Sequence, residues 1–125
     1  MAFAYSMNLK HMRLQAVIDA IGPGGMLEFG DRPGMNEVLA SLKLQSPAFY
    51  SPSDGEMQLA GTPLFGRVIT AGKVTTVRFT NAAGEVQVYD LTVGLEGSGA
   101  HIEVGATDLR PGIDVCIRSG AIVHA

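Results

Sequence analysis

The chain has 125 residues, 46% of them apolar and 17% charged, and a net charge of −3. A chain of that size buries one core without disulfides or a structural metal, and that balance excludes intrinsic disorder. Nine basic residues against twelve acidic, with no Lys/Arg cluster, exclude the concentrated positive charge that nucleic acid or an anionic membrane surface requires of a partner.

Residues 1–7 read as an N-terminal arm carrying Phe3 and Tyr5. They lack the basic head and apolar stretch of a leader, and no segment approaches the roughly 20 apolar residues of a membrane span. The reading is a soluble protein made without a secretion signal. "SMNLKHMRLQAVIDAIGPGG" then predicts a helix over 8–21. Leu9, Met12, Ala16, Val17, Ala20 and Ile21 recur at three- and four-residue spacings and predict a one-sided apolar face. Ser6 or Asn8 supplies the N-cap, and Gly22 followed by Pro23 supplies the stop.

After Gly25 the hydrophobic period falls to two. Strands are predicted at 26–31, 37–44, 56–61, 73–81, 85–93, 101–106 and 114–125, seven or eight in all. "DRPG", "SPSDG", "NAAGE" and "RPGID" separate them with turn chemistry. In the strongest hairpin, "VTTVRFTNAAGEVQVYDLTVG", Gly84 suits the left-handed position after a type I turn. Thr75, Val77 and Phe79 are predicted to face the core, while Val74, Thr76, Arg78 and Thr80 face outward, with Arg78 solvated. The predicted fold is mainly β, an antiparallel β-sandwich or jelly roll over residues 26–125 with one N-terminal α-helix, in a single domain spanning 1–125.

Site chemistry is sparse. "VGLEGSGAHIEV" places Gly94, Gly97 and Gly99 after an apolar run, as a phosphate cradle would. A cradle, however, leads into a helix whose free amides point at the anion and brings a lysine, whereas here an alternating strand pattern follows and no lysine is near. The stretch therefore reads as a turn between strands. His101 and Glu103 share one face of a strand, two potential metal ligands or an acid/base pair, but His11 and His124 offer no third group at ligand spacing. Glu96 stands where a nucleophile elbow needs its first glycine, and Asp54, Glu56, Asp108 and Asp114 lie mostly beside turn residues. Cys116, unable to form an intramolecular bridge, reads as a small buried hydrophobe. No catalytic, cofactor-binding or metal-binding residue is assigned.

Taken together, "RLQAVIDAIGPGGMLEFG", "VLASLKLQSPAFYSPSDGEMQL", "VRFTNAAGEVQVYDLTVGLEGSGAHIEV" and "PGIDVCIRSGAIVHA" give an order of segments that resembles small β-rich structural proteins of tailed bacteriophages and prophages, of the capsid decoration or cementing type. The chain departs from that group in the short "GPGG" link and in "FGRVITAGKVTTVRF", where a longer polar insertion is common. The resemblance implies a noncatalytic virion protein, made in the host cytoplasm and placed on the phage head. Its implied partners are the major capsid protein or another virion protein, and it works as a homo-oligomer bridging shell subunits. Phe3, Tyr5, Phe49 and Tyr50, aromatic residues in the arm and in a Pro-flanked loop, are the candidate protein contacts, the alternative being that they fold back onto their own core. Two further readings stand beside this one: a virion-associated carbohydrate- or receptor-binding sandwich, and a small enzyme whose site is assembled only in space.

Overall fold

The computed structural model describes residues 5–32 and 37–123. Helix α1, Met7–Ile21, begins where Ser6 accepts the Leu9 amide at 3.1 Å and ends at Gly22, whose φ of 62° only glycine adopts without cost. Ten strands follow among the described residues: β1 Met26–Gly30, β2 Ala40–Lys43, β3 Glu56–Gln58, β4 Leu64–Val68, β5 Gly72–Lys73, β6 Thr76–Thr80, β7 Val86–Leu95, β8 Ile102–Val104, β9 Asp108–Leu109 and β10 Asp114–Val123. Each strand region predicted from the period-two pattern contains one of them. β4, between Pro63 and Ile69, was not among the predicted strands, nor were the short partners β5 and β9.

Seven strands are hydrogen-bonded into a closed ring, β10-β4-β2-β1-β6-β7-β8, with β8 returning to β10. The protein is thus mainly β with one helix, and the ring is barrel-like. Closure leaves its seven strands without a free edge, which is how an all-β domain avoids edge-to-edge pairing. β10 makes this possible by changing partners along its length. Residues 114–117 pair with β4, a register shift between Ile117 and Ser119 carries residues 117–120 along β8, and residues 121–123 take on β3.

Leu27, Phe29, Leu42, Val77, Phe79, Ile102, Val104, Val115 and Ile117 are buried and form one apolar cluster inside the ring. Phe49 and Phe79 meet with ring centroids 5.2 Å apart and planes tilted by 56°, a favourable aromatic geometry. The helix adds Leu14, Ile18 and Ile21 to the same cluster and packs against β7 and β3. Its predicted face is therefore rotated. Of that set Ile21 is buried and Val17 half-buried, whereas Leu9, Met12, Ala16 and Ala20 face solvent. Apolar residues lie all round this helix, so spacing alone does not choose a face; contact with the strands selects the stripe containing Leu14 and Ile18.

The predicted inward face of β6 holds for Val77 and Phe79, both completely buried, while Thr75 is exposed. The predicted outer row fails: Val74, Thr76 and Thr80 are buried. The β6–β7 register shifts on both sides of Phe79, which interrupts strict alternation, and the Thr76 hydroxyl lies 3.5 Å from the Leu91 carbonyl. Arg78 is not simply solvated either. It sits opposite Glu28 on β1 and its Nε donates to the Glu28 carboxylate at 2.8 Å, with both side chains about four-fifths covered (23% and 21% exposed). The turn after β6 forms as predicted, with Gly84 at φ 84° and the Asn81 side chain accepting the amides of Ala83 and Glu85.

Candidate functional site

The glycine stretch owes its conformation to an uncommon connection. β7 and β8 run parallel, with Val93 beside Ile102 and Leu95 beside Val104. Parallel neighbours ordinarily need a crossover of about a dozen residues or more. Here residues 96–101 alone turn the chain back, with Gly97 and Gly99 at φ 87° and 83°.

Amides in such a loop converge as they do around a bound anion, and an anion is present. It is the carboxylate of Glu103. Oε2 accepts the Gly99 amide at 2.8 Å, and Oε1 accepts the Gly97 amide at 3.2 Å and the Ser119 hydroxyl at 3.3 Å. The Gly99 and Gly97 amides hold the Glu103 carboxyl below its ordinary value of 4.5; partial loss of solvent opposes them, and Ser119 adds to them. The loop is a turn, as its sequence reads, but one folded around its own carboxylate.

His101 is tied down separately. Its Nδ1 accepts the Thr92 amide at 3.0 Å with the Thr92 hydroxyl 2.9 Å away, and its own amide donates to that hydroxyl at 3.0 Å. In the neutral ring the proton therefore resides on Nε2. His101 and Glu103 do lie together at the start of β8, yet each serves a different hydrogen-bond set, and the pair reads as loop architecture. Among the described residues no group of three or more His, Cys, Asp or Glu gathers as a metal site would require. His11 bonds elsewhere, its Nε2 accepting the Gly55 amide at 3.0 Å and tying α1 to the loop before β3; His124 lies outside the described residues. No known family model, curated protein or solved structure matches this chain.

The four candidate contact residues separate. Phe3 lies outside the described residues. Tyr5 is partly exposed, with the Arg13 guanidinium 4.6 Å above its ring. Phe49, at 1% exposure, belongs to the core through Phe79, so it folds back rather than anchoring a partner. Tyr50 is 59% exposed, and its hydroxyl accepts the Gly61 amide at 3.3 Å, which pins the ring at its tip. It lines a shallow hollow of about 250 Å³ with Ser51, Ser53, Asp54, Glu56 and Gln58.

Larger apolar exposure occurs outside the four candidate contact residues. Met7 and Met12 on α1, Phe65 on β4 with Ile69 just after it, Tyr89 and Leu95 on β7, and Ile113 before β10 all face solvent. The available signal was the alternation inside "LFGRVI", which places Phe65, Arg67 and Ile69 on one face and Gly66 and Val68 on the other. Gly66 and the preceding proline masked that strand pattern.

Proposed function

We propose that this protein is a noncatalytic structural component of a phage virion that decorates or cements the head by bridging shell subunits. The observation that supports this reading is the distribution of exposed large apolar side chains. They lie on three separate elements, on α1 (Met7, Met12), on and beside β4 (Phe65, Ile69) and on β7 (Tyr89, Leu95). A protein that bridges neighbours needs more than one contact surface, and contiguous exposed apolar side chains mark association sites. The choice of the head as the place of action rests on the resemblance in segment order described above. A sandwich or jelly-roll kinship belongs to the same proposal, since two facing sheets joined at their edges also close into a ring of strands.

The test is cosedimentation of the purified protein with expanded heads, together with the heat and osmotic resistance of virions lacking it. Binding and a loss of resistance are expected. Protein that stays in the supernatant, with virions that keep full resistance without it, overturns the proposal.

The pinned Tyr50 ring beside Asp54, Glu56 and Gln58 favours a second reading, a carbohydrate-binding role for the same virion protein. Glycan-array binding that disappears in Tyr50→Ala supports it, and an array without signal removes it.

A further inference from the structure

The outer face formed by β4 and β10 carries an unusual combination of groups. Phe65, Arg67 and Ile69 project from one side, with Phe65 63% and Ile69 56% exposed. Opposite them on β10 stand Cys116 beside Phe65 and Asp114 beside Arg67, and Ile113 just before the strand is also 56% exposed. Arg67 and Asp114 are cross-strand neighbours of opposite charge, yet the ion pairs among the described residues are Arg32–Asp31, Arg78–Glu28 and Arg118–Glu96, so these two form none with each other.

Next to Cys116 lies a hollow of about 160 Å³ with an apolar floor of Val68, Leu109 and Val115 and with Asp108, Arg110 and Asp114 among the residues at its border. A Cβ placed on Gly105 meets the Cys116 Cβ at 3.7 Å, an ordinary contact, and the backbone there is not in the left-handed region. Neither close packing nor dihedral strain demands glycine at 105.

These rows are complementary to each other. The β4 row reads apolar, positive, apolar, and the β10 row reads hollow, negative, apolar. A two-fold axis lying between the strands and parallel to them lays the β4 row of one copy over the β10 row of the other. Phe65 then covers the hollow beside Cys116, Arg67 meets Asp114, and Ile69 meets Ile113, each contact occurring twice. Such reciprocity is the condition for an isologous dimer. Three large apolar side chains exposed within about 14 Å of strand length also give the two-fold contact an apolar part beside its charges. We infer that the β4/β10 face binds a second copy of this chain as a symmetric dimer. The inference rests on this face and not on head binding, so the two are separable.

Sedimentation equilibrium on the full chain, over concentrations around the micromolar range of modest interfaces, tests it. The wild type is expected to approach twice 13.1 kDa. Arg67→Glu sets like charges against Asp114 of the other copy, and Asp114→Arg sets two arginines together. Each is expected to weaken dimerisation at least about tenfold, as is Phe65→Ser. The double variant Arg67→Glu/Asp114→Arg reverses both charges and is expected to restore association to within about threefold of wild type. Circular dichroism checks that every variant keeps its fold. A wild type that stays monomeric throughout the range, a double variant no stronger than the single ones, or a dimer indifferent to Phe65→Ser overturns the inference. Failure to bind heads by an intact dimer bears only on the function proposed above.

Discussion

Phe49 and Tyr50 are adjacent aromatic residues in one Pro-flanked loop, and their environments predict opposite responses to truncation. Phe49 is 1% exposed and stacks at 5.2 Å on Phe79, itself fully buried, whereas Tyr50 is 59% exposed and makes one side-chain hydrogen bond, to the Gly61 amide. Phe49→Ala removes a buried ring and leaves a cavity, a loss of about 3–5 kcal/mol that includes the aromatic contact. Unfolding entropy for a chain this long corresponds to roughly 4 °C per kcal/mol, so the melting temperature is expected to fall by about 12–20 °C. Tyr50→Ala loses a hydrogen bond worth about 1 kcal/mol at most in a solvent-accessible position, a fall of about 4 °C or less. Thermal unfolding followed by circular dichroism, with urea titration to check that the m-value is unchanged, separates the two. A Phe49→Ala protein melting within about 4 °C of wild type, or a Tyr50→Ala protein losing as much as Phe49→Ala, refutes the assignment of Phe49 to the core.

Three further predictions concern the loops and the half-buried ion pair. Gly84→Ala places a side chain at φ 84° with open space around it, so the backbone alone is strained; a loss of about 1–2 kcal/mol in urea unfolding is expected, and no loss contradicts the turn geometry. A double-mutant cycle on Glu28→Ala and Arg78→Ala is expected to give a coupling of about 1 kcal/mol, above most fully exposed pairs and below a buried one, with additive single losses as the contrary result. Because the Glu103 carboxyl is lowered on folding, its contribution is fully present above the unfolded value near 4.5 and is lost as pH falls through the lower folded value. Glu103→Gln is therefore expected to be less stable than wild type at neutral pH and to converge with it in acid; a difference that does not change with pH removes the charge from the explanation.

Much of the fold was legible because period-two patterning and turn chemistry agree. The hairpin around "NAAGE" and the capped helix appear where local signals place them. What escaped depends on long-range contact. β4 was obscured by Gly66, yet close packing favours a glycine there: a Cβ at 66 lies 3.0 Å from Val115 Cγ1 and 3.3 Å from Leu42 Cδ2, so both side chains would have to give way slightly. The helix carries apolar residues on all sides, so only its docking selects Leu14, Ile18 and Ile21. Arg78 reads as solvated until the β1–β6 register sets Glu28 opposite it. At the candidate site, the sequence distinguishes a turn from a nucleotide loop through the missing helix and lysine. It does not reveal that Glu103 lies within reach of the Gly97 and Gly99 amides, because the parallel β7–β8 pairing that brings them together has no local signature.

The carboxylate in the glycine loop also governs what that loop ignores. A free phosphate or carboxylate approaching the Gly97 and Gly99 amides competes with a ligand tethered four residues from Gly99, whose effective concentration is far above that of dilute solutes in the cell. The loop's own side chain thus occupies the place that a free anion would take. Shortening residue 103 to alanine removes that occupant and leaves the Gly97 and Gly99 amides without this acceptor.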